Sequence, residues 1–162
     1  MHIHRTAILS DDGMYRYTLR RTWVEGLPHA LIIMLNPSTA DALKDDATIR
    51  SLIRLLYALG YGGFVVVNLY AFRSTNPAGL TEIVDPIGPK ADNFICYEIE
   101  NAYVVVVAWG ASKYAGQERI AEVIRMIQSR HEAVYCFGTT KAGHPRHPLY
   151  VKSGTELEPF KQ

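Results

Sequence analysis

Four short apolar runs, "ALIIML", "FVVVNL", "YVVVVAW" and "AVYCF", constrain this chain more than anything else in it. They are rich in Val and Ile and do not alternate with polar residues. A strand with one wet face alternates, whereas a strand covered on both faces does not. Helical patterns lie between the runs. In "DDATIRSLIRLLYALG", Ile49, Leu52, Ile53, Leu56 and Leu59 share one stripe, with acidic residues at the start and Gly60 at the stop. "KADNFICYEIENA" repeats that design weakly and "AGQERIAEVIRMIQSR" strongly. Buried strands alternating with helices predict an α/β fold, with a parallel sheet between two helical layers. Ahead of it, "RTAILSDDGMYRYTLRRTWVEG" predicts an N-terminal β-hairpin that turns where Gly13 can take positive φ. The tail "KSGTELEPFKQ" is expected to wrap over the surface.

At 162 residues the expectation is one domain, residues 1–162, with a core large enough to need no staples. A net charge of +1 supplies no global pull toward nucleic acid or membrane, so either would need a local basic patch. Cys96 and Cys136 sit in apolar runs, which predicts buried, reduced thiols. The segment "MHIHRTAILSDDG" has no apolar signal core and no run reaches membrane length. The expected location is therefore cytoplasmic.

Each apolar run ends in polar residues: "LNPST", "NLYAFRST", "WGASK" and "FGTTKAGHPRHPLY". In a parallel sheet all four carboxyl ends lie on one edge, where open α/β folds place their ligand crevice. Singly, each has an ordinary reading. Asn36–Pro37 is a common turn signal. Asn68 late in an apolar strand needs a partner, which loop backbone could supply. Arg73, Ser74 and Thr75 suit phosphate contacts or a solvated loop equally. Trp109–Gly110 reads as packing with close backbone approach. His144 and His147 lie in a loop stiffened by Pro145 and Pro148, so the imidazoles point in set directions.

Competing chemistries find less support. Asp41, Asp45 and Asp46 with the histidines lack any metal-ligand spacing, and Asp45 and Asp46 precede a helix they can cap. No metal and no cofactor are expected. There is no G-x-S-x-G elbow, no Walker loop and no G-x-G-x-x-G fingerprint, and neither cysteine has an activating neighbour.

Taken together, "MLNPSTAD…DDATIR", "VNLYAFRST", "AWG" and "HPRHPLY" resemble domain-of-unknown-function family 1643 over nearly the whole chain. The same four segments, in the same order, resemble the uracil-DNA glycosylase superfamily. That second resemblance implies a three-layer α/β/α sandwich around a central four-stranded parallel sheet, with the hairpin added at the N-terminus. It also implies a DNA glycosylase that hydrolyses the N-glycosidic bond of a flipped pyrimidine. The catalytic residues it implies are Asn36, which would orient water, and a histidine that would stabilise the departing base. "HPRHPL" offers two where the superfamily loop has one: His144 leads the loop, His147 precedes Pro-Leu, and His147 is preferred. Pro37, Ser38, Thr39, Asn68 and Tyr70 form the expected base-binding set, Asn68 reading the base edge.

Ser38 stands where uracil-specific enzymes have a tyrosine, leaving room beside the base 5-position. A 5-substituted or otherwise modified pyrimidine, of the kind phage DNA carries, or uracil itself, is the expected substrate. DNA is the expected partner, with Arg73, Ser74, Lys113, Lys141 and Arg146 contacting phosphates and Leu149 wedging into the stack. Arg16, Arg20 and Arg21 are further phosphate candidates. No membrane and no obligate protein partner are expected. Two alternatives stay open: a hydrolase of free nucleosides or nucleotides, and a non-catalytic nucleic-acid-binding module of the same fold.

Overall fold

The computed structural model describes all residues, Met1–Gln162. One sheet of seven strands carries three α-helices. The strands are β1 His4–Leu9, β2 Arg16–Thr22, β3 His29–Met34, β4 Gly63–Asn68, β5 Val104–Val107, β6 Tyr135–Cys136 and β7 Glu158–Pro159. The helices are α1 Ala47–Ala58, α2 Ala91–Asn101 and α3 Gln117–Gln128. Across the sheet the order is β1-β2-β4-β3-β5-β6-β7. Strands β4, β3, β5 and β6 run parallel, while β2 joins β4, β1 joins β2, and β7 joins β6 antiparallel.

The sheet thus differs from four parallel strands with an appended hairpin. The hairpin is its edge: β2 pairs with β4 from Leu19↔Val66 to Thr22↔Gly63. Part of the tail also joins, as β7 against β6. The fourth apolar run forms only two strand residues and bridges β5 once, at Val106↔Tyr135.

The apolar runs do alternate, but between two covered faces. Leu31, Ile33, Val65, Val67, Val105 and Val107 pack with Ile95 and Ile99 of α2 and Ile120, Val123 and Ile127 of α3. Their neighbours Ile32, Phe64, Val66, Val104 and Val106 pack with Ile49, Leu52, Leu55 and Leu56 of α1. Because successive side chains point to opposite sides, both sets must be apolar.

Helix α1 starts at Asp46, whose Oδ1 accepts from the Ile49 N–H at 2.9 Å. It stops before Gly60, which takes φ 83°. The hairpin turn places Gly13 at φ 73°. One cysteine differs from expectation. Cys136 is buried in the core, but Cys96 is exposed on α2, whose buried residues are Ala91, Ile95, Glu98 and Ile99. No helix is long and apolar enough to cross a membrane.

Candidate functional site

The carboxyl edge of β3, β4 and β5 opens onto a cavity of about 400 Å³. Asn36 and Ser38 reach it from the loop after β3, and Asn68 from the last residue of β4. Ser74 and Thr75 come from the loop after β4, and Trp109, Gly110 and Ser112 from the loop after β5. His147, Leu149 and Tyr150 come from the loop after β6. Backbone bonds hold these loops to one another. Ser74 N–H donates to Pro37 O at 2.9 Å, and Gly110 N–H donates to Pro145 O at 3.0 Å.

Asn36 is oriented unambiguously. Its Nδ2 donates to the carbonyls of Pro37, at 3.0 Å, and Ser74, at 2.9 Å. Both acceptors demand the NH₂ end, so Oδ1 is left as the end open to the cavity. Asn68 is 4 % exposed, and its Oδ1 is enclosed without any hydrogen-bond partner. A buried unpaired acceptor costs roughly 1–3 kcal/mol.

His147 caps the 3₁₀ turn Pro148–Tyr150, its Nδ1 accepting from the Leu149 N–H at 3.2 Å. A neutral imidazole that accepts at Nδ1 carries its proton on Nε2, which makes Nε2 the donor. Burial lowers the His147 pKa below its ordinary 6.5, and the Asp46 carboxylate pulls weakly the other way. Burial thus favours the neutral ring. Gly110 sits at φ 76°, and a Cβ there would stand 3.3 Å from that of His147, so the turn after β5 and the histidine loop meet closely.

Two charged side chains share the cavity without having been placed there by the sequence: Arg16 and Asp46. Asp46 was legible as a helix cap, and so it is, but one carboxylate oxygen cannot show where the other points. Arg16, among the phosphate candidates, is instead a wall of the cavity and 3 % exposed.

The remaining expected residues lie elsewhere. Pro37 is buried behind the cavity, and Thr39 and Arg73 line an adjoining shallow groove with Ser38 and Ser74. Tyr70 is in the core beside α3, its hydroxyl accepting from the Gly116 N–H at 3.1 Å. His144 lines a separate depression beside Trp109 and Phe160, so only His147 of the two reaches the asparagines' cavity. Lys113 and Lys141 are exposed outside it; the Lys113 ammonium lies 5.3 Å from the Tyr114 ring centroid. Arg146 is exposed and donates to Thr139 O. Arg20 pairs with Glu98 on the α2 side, and Arg21 is completely buried. Neither is free for a phosphate. No three His, Cys, Asp or Glu side chains cluster closely enough to hold a metal ion.

A family model described as "Protein of unknown function (DUF1643)" matches residues 16–149. The chain belongs to this family. No curated protein and no solved structure matches it. The DUF1643 span begins at Arg16 and ends at Leu149, so every cavity residue except Tyr150 lies within it.

Proposed function

We propose that the cavity holds a nucleobase and that the chain is a DNA glycosylase, acting on a pyrimidine flipped out of the helix. The observation that supports this most is the convergence of Asn36, Asn68 and His147 on one cavity of about 400 Å³. The likeness of the four strand-end segments to the uracil-DNA glycosylase superfamily supports the same assignment, and a parallel core of β4, β3, β5 and β6 with helices on both faces is compatible with it.

In this reading the C1′–N bond breaks with its electron pair leaving on the base. A water oxygen bonds to C1′, and that water's proton passes to solvent or to the departing base. His147 Nε2–H donates to the base oxygen on which negative charge grows. A preorganised donor of this kind is worth about 2.7–4 kcal/mol to the transition state. Asn36 Oδ1 accepts from the water and aims it; an amide suffices because a cationic sugar needs a positioned nucleophile more than a strong base. Asn68 reads the Watson–Crick edge through its side-chain amide, which can present a donor or an acceptor to the base. Ser38, small and on the cavity wall, leaves space for a 5-substituent.

The test is incubation with genomic DNAs of differing base modification, followed by mass spectrometry for a freed base. Release should stop in Asn36→Ala and in His147→Ala while both remain folded. Full release by both variants would remove the roles assigned to them.

A second reading, hydrolysis of free nucleosides or nucleotides, is favoured by one observation. None of Arg73, Lys113, Lys141 and Arg146 lines the cavity, and Arg20 and Arg21 are engaged within the protein.

A further inference from the structure

Arg16 and Arg21 leave the same strand toward the same side of the sheet, and their surroundings are opposite. Arg21 is completely enclosed and makes five hydrogen bonds, to Asp45 Oδ1 and to the carbonyls of Thr6, Arg20, Asp41 and Lys44. Arg16 makes one, from Nη1 to Ala40 O at 3.0 Å, and its Nε is enclosed with no acceptor. It takes part in none of the six ion pairs of the protein.

A bulge aims Arg16 at the cavity. Ile8 and Leu9 of β1 face Thr18 and Arg16 of β2, so Tyr17 is an extra residue in the ladder. Arg20 pairs with Glu98 of α2, so strict alternation would send Arg16 to that side too. The bulge reverses the parity. Tyr17 stacks on Phe94 of α2, and Arg16 turns to the α1 side, beside Asp46 in the cavity wall.

Burying a cation without a counter-ion is costly. Burial lowers the Arg16 pKa to about 10, which leaves it charged at neutral pH. Asp46 and Asp41 pull that value up, while Arg73 and Arg21 push it down. Asp46, the carboxylate in the cavity, is held to the α1 terminus by its bond from Ile49 and forms no ion pair with Arg16.

We propose that Arg16 seats an anionic group of the ligand, a carboxylate or phosphate, beside the base edge that Asn68 reads. The position of the base rests on the nucleobase reading above; the anion seat rests on Arg16. The two residues are close neighbours in the sheet. Arg16 opens β2, Asn68 ends the adjoining β4, and Arg16 N–H donates to Ala71 O just beyond it. Ser38 and Thr48 bring hydroxyls to the same cavity. The anion belongs either to the base, as a 5-carboxylate, or to the sugar, as a 5′-phosphate.

Calorimetry on the full chain separates these sources with two pairs: 5-carboxyuracil against thymine, and deoxyuridine 5′-monophosphate against deoxyuridine. The charged member of one pair should bind at least roughly tenfold tighter, as a charged hydrogen bond implies. That pair names the source. The preference should vanish in Arg16→Gln and survive in part in Arg16→Lys. Inorganic phosphate should raise the melting temperature of the wild type and of Arg16→Lys only.

The wild-type comparisons need no variant to fold. Equal binding within both pairs, with no stabilisation by phosphate, overturns the proposal; so does a preference unchanged in both Arg16 variants. Neutral bases that bind without gain from charge would leave the nucleobase reading standing alone. Phosphate stabilisation through Arg16, with no pyrimidine bound, would leave only the anion seat.

Discussion

Asn68 is a poor choice for stability and a good one for recognition. Its Oδ1 is enclosed and unpartnered at the end of a strand whose other residues are all buried. An apolar side chain of similar volume would remove the unpaired acceptor without opening a void, so Asn68→Leu should stabilise the fold by about 1 kcal/mol or more. A higher urea midpoint at unchanged slope is the expected result. A lower midpoint would mean that the amide finds a partner within the folded protein. Asn36 behaves differently, because its NH₂ already serves two carbonyls, and truncating it would unpair Ser74 O while Pro37 O keeps the Ser74 N–H. One amide holds two loops together and offers its oxygen; the other contributes nothing to its own enclosure. The polar residues at the strand ends were legible in the sequence, but this division of labour was not, because only neighbouring carbonyls decide which way an amide turns.

Elements carry the next level, and here the sequence was readable where one face of an element decides its partner. The stripe on α1 and the Val-rich runs define buried surfaces by spacing alone, and they became α1, β3, β4 and β5. Strand β2, "RYTLRRT", hides its role because three arginines in a strand look solvated, yet Arg16 and Arg21 are both buried. The bulge at Tyr17 has no sequence signature, so neither does the turn of Arg16 into the cavity. Helix α1 links packing to chemistry through Asp46, which caps the helix and faces His147 electrostatically.

The two roles of Asp46 separate by substitution. Asp46→Ala should cost about 0.5–2 kcal/mol through the lost cap, while Asp46→Asn keeps most of it. Asp46 raises the His147 pKa against the larger effect of burial, so Asp46→Asn should move the His147 titration, already below 6.5, lower still. NMR of the imidazole protons reads it, and an upward move would contradict the assigned geometry. The sign for stability follows. A lowered histidine pKa means that the unfolded chain takes up the proton first. The His147 contribution is then full above about 6.5 and is lost as pH falls from there through the folded value.

At the scale of the whole molecule, charge separates the two readings of the cavity. A net charge of +1 leaves binding to a duplex dependent on the few basic residues that can reach phosphates. Arg21, Arg119 and Arg20 are joined to carboxylates, and Arg16 is enclosed. Of the expected phosphate contacts, Arg73, Lys113, Lys141 and Arg146 remain outside the cavity. If all four act, the slope of log K against log salt should be no steeper than about −4, since each neutralised phosphate contributes roughly −0.9. Fluorescence anisotropy with a labelled duplex across a salt series gives that slope. A DNA glycosylase built on this chain should show a value between about −2 and −4, shallower by about one unit for each of Lys141→Ala and Arg146→Ala. A slope near zero, with pyrimidine nucleotides still bound in the cavity, would shift the assignment to free nucleotides. The sheet makes either outcome possible, because its parallel strands bring the cavity to one edge whatever surface surrounds the mouth.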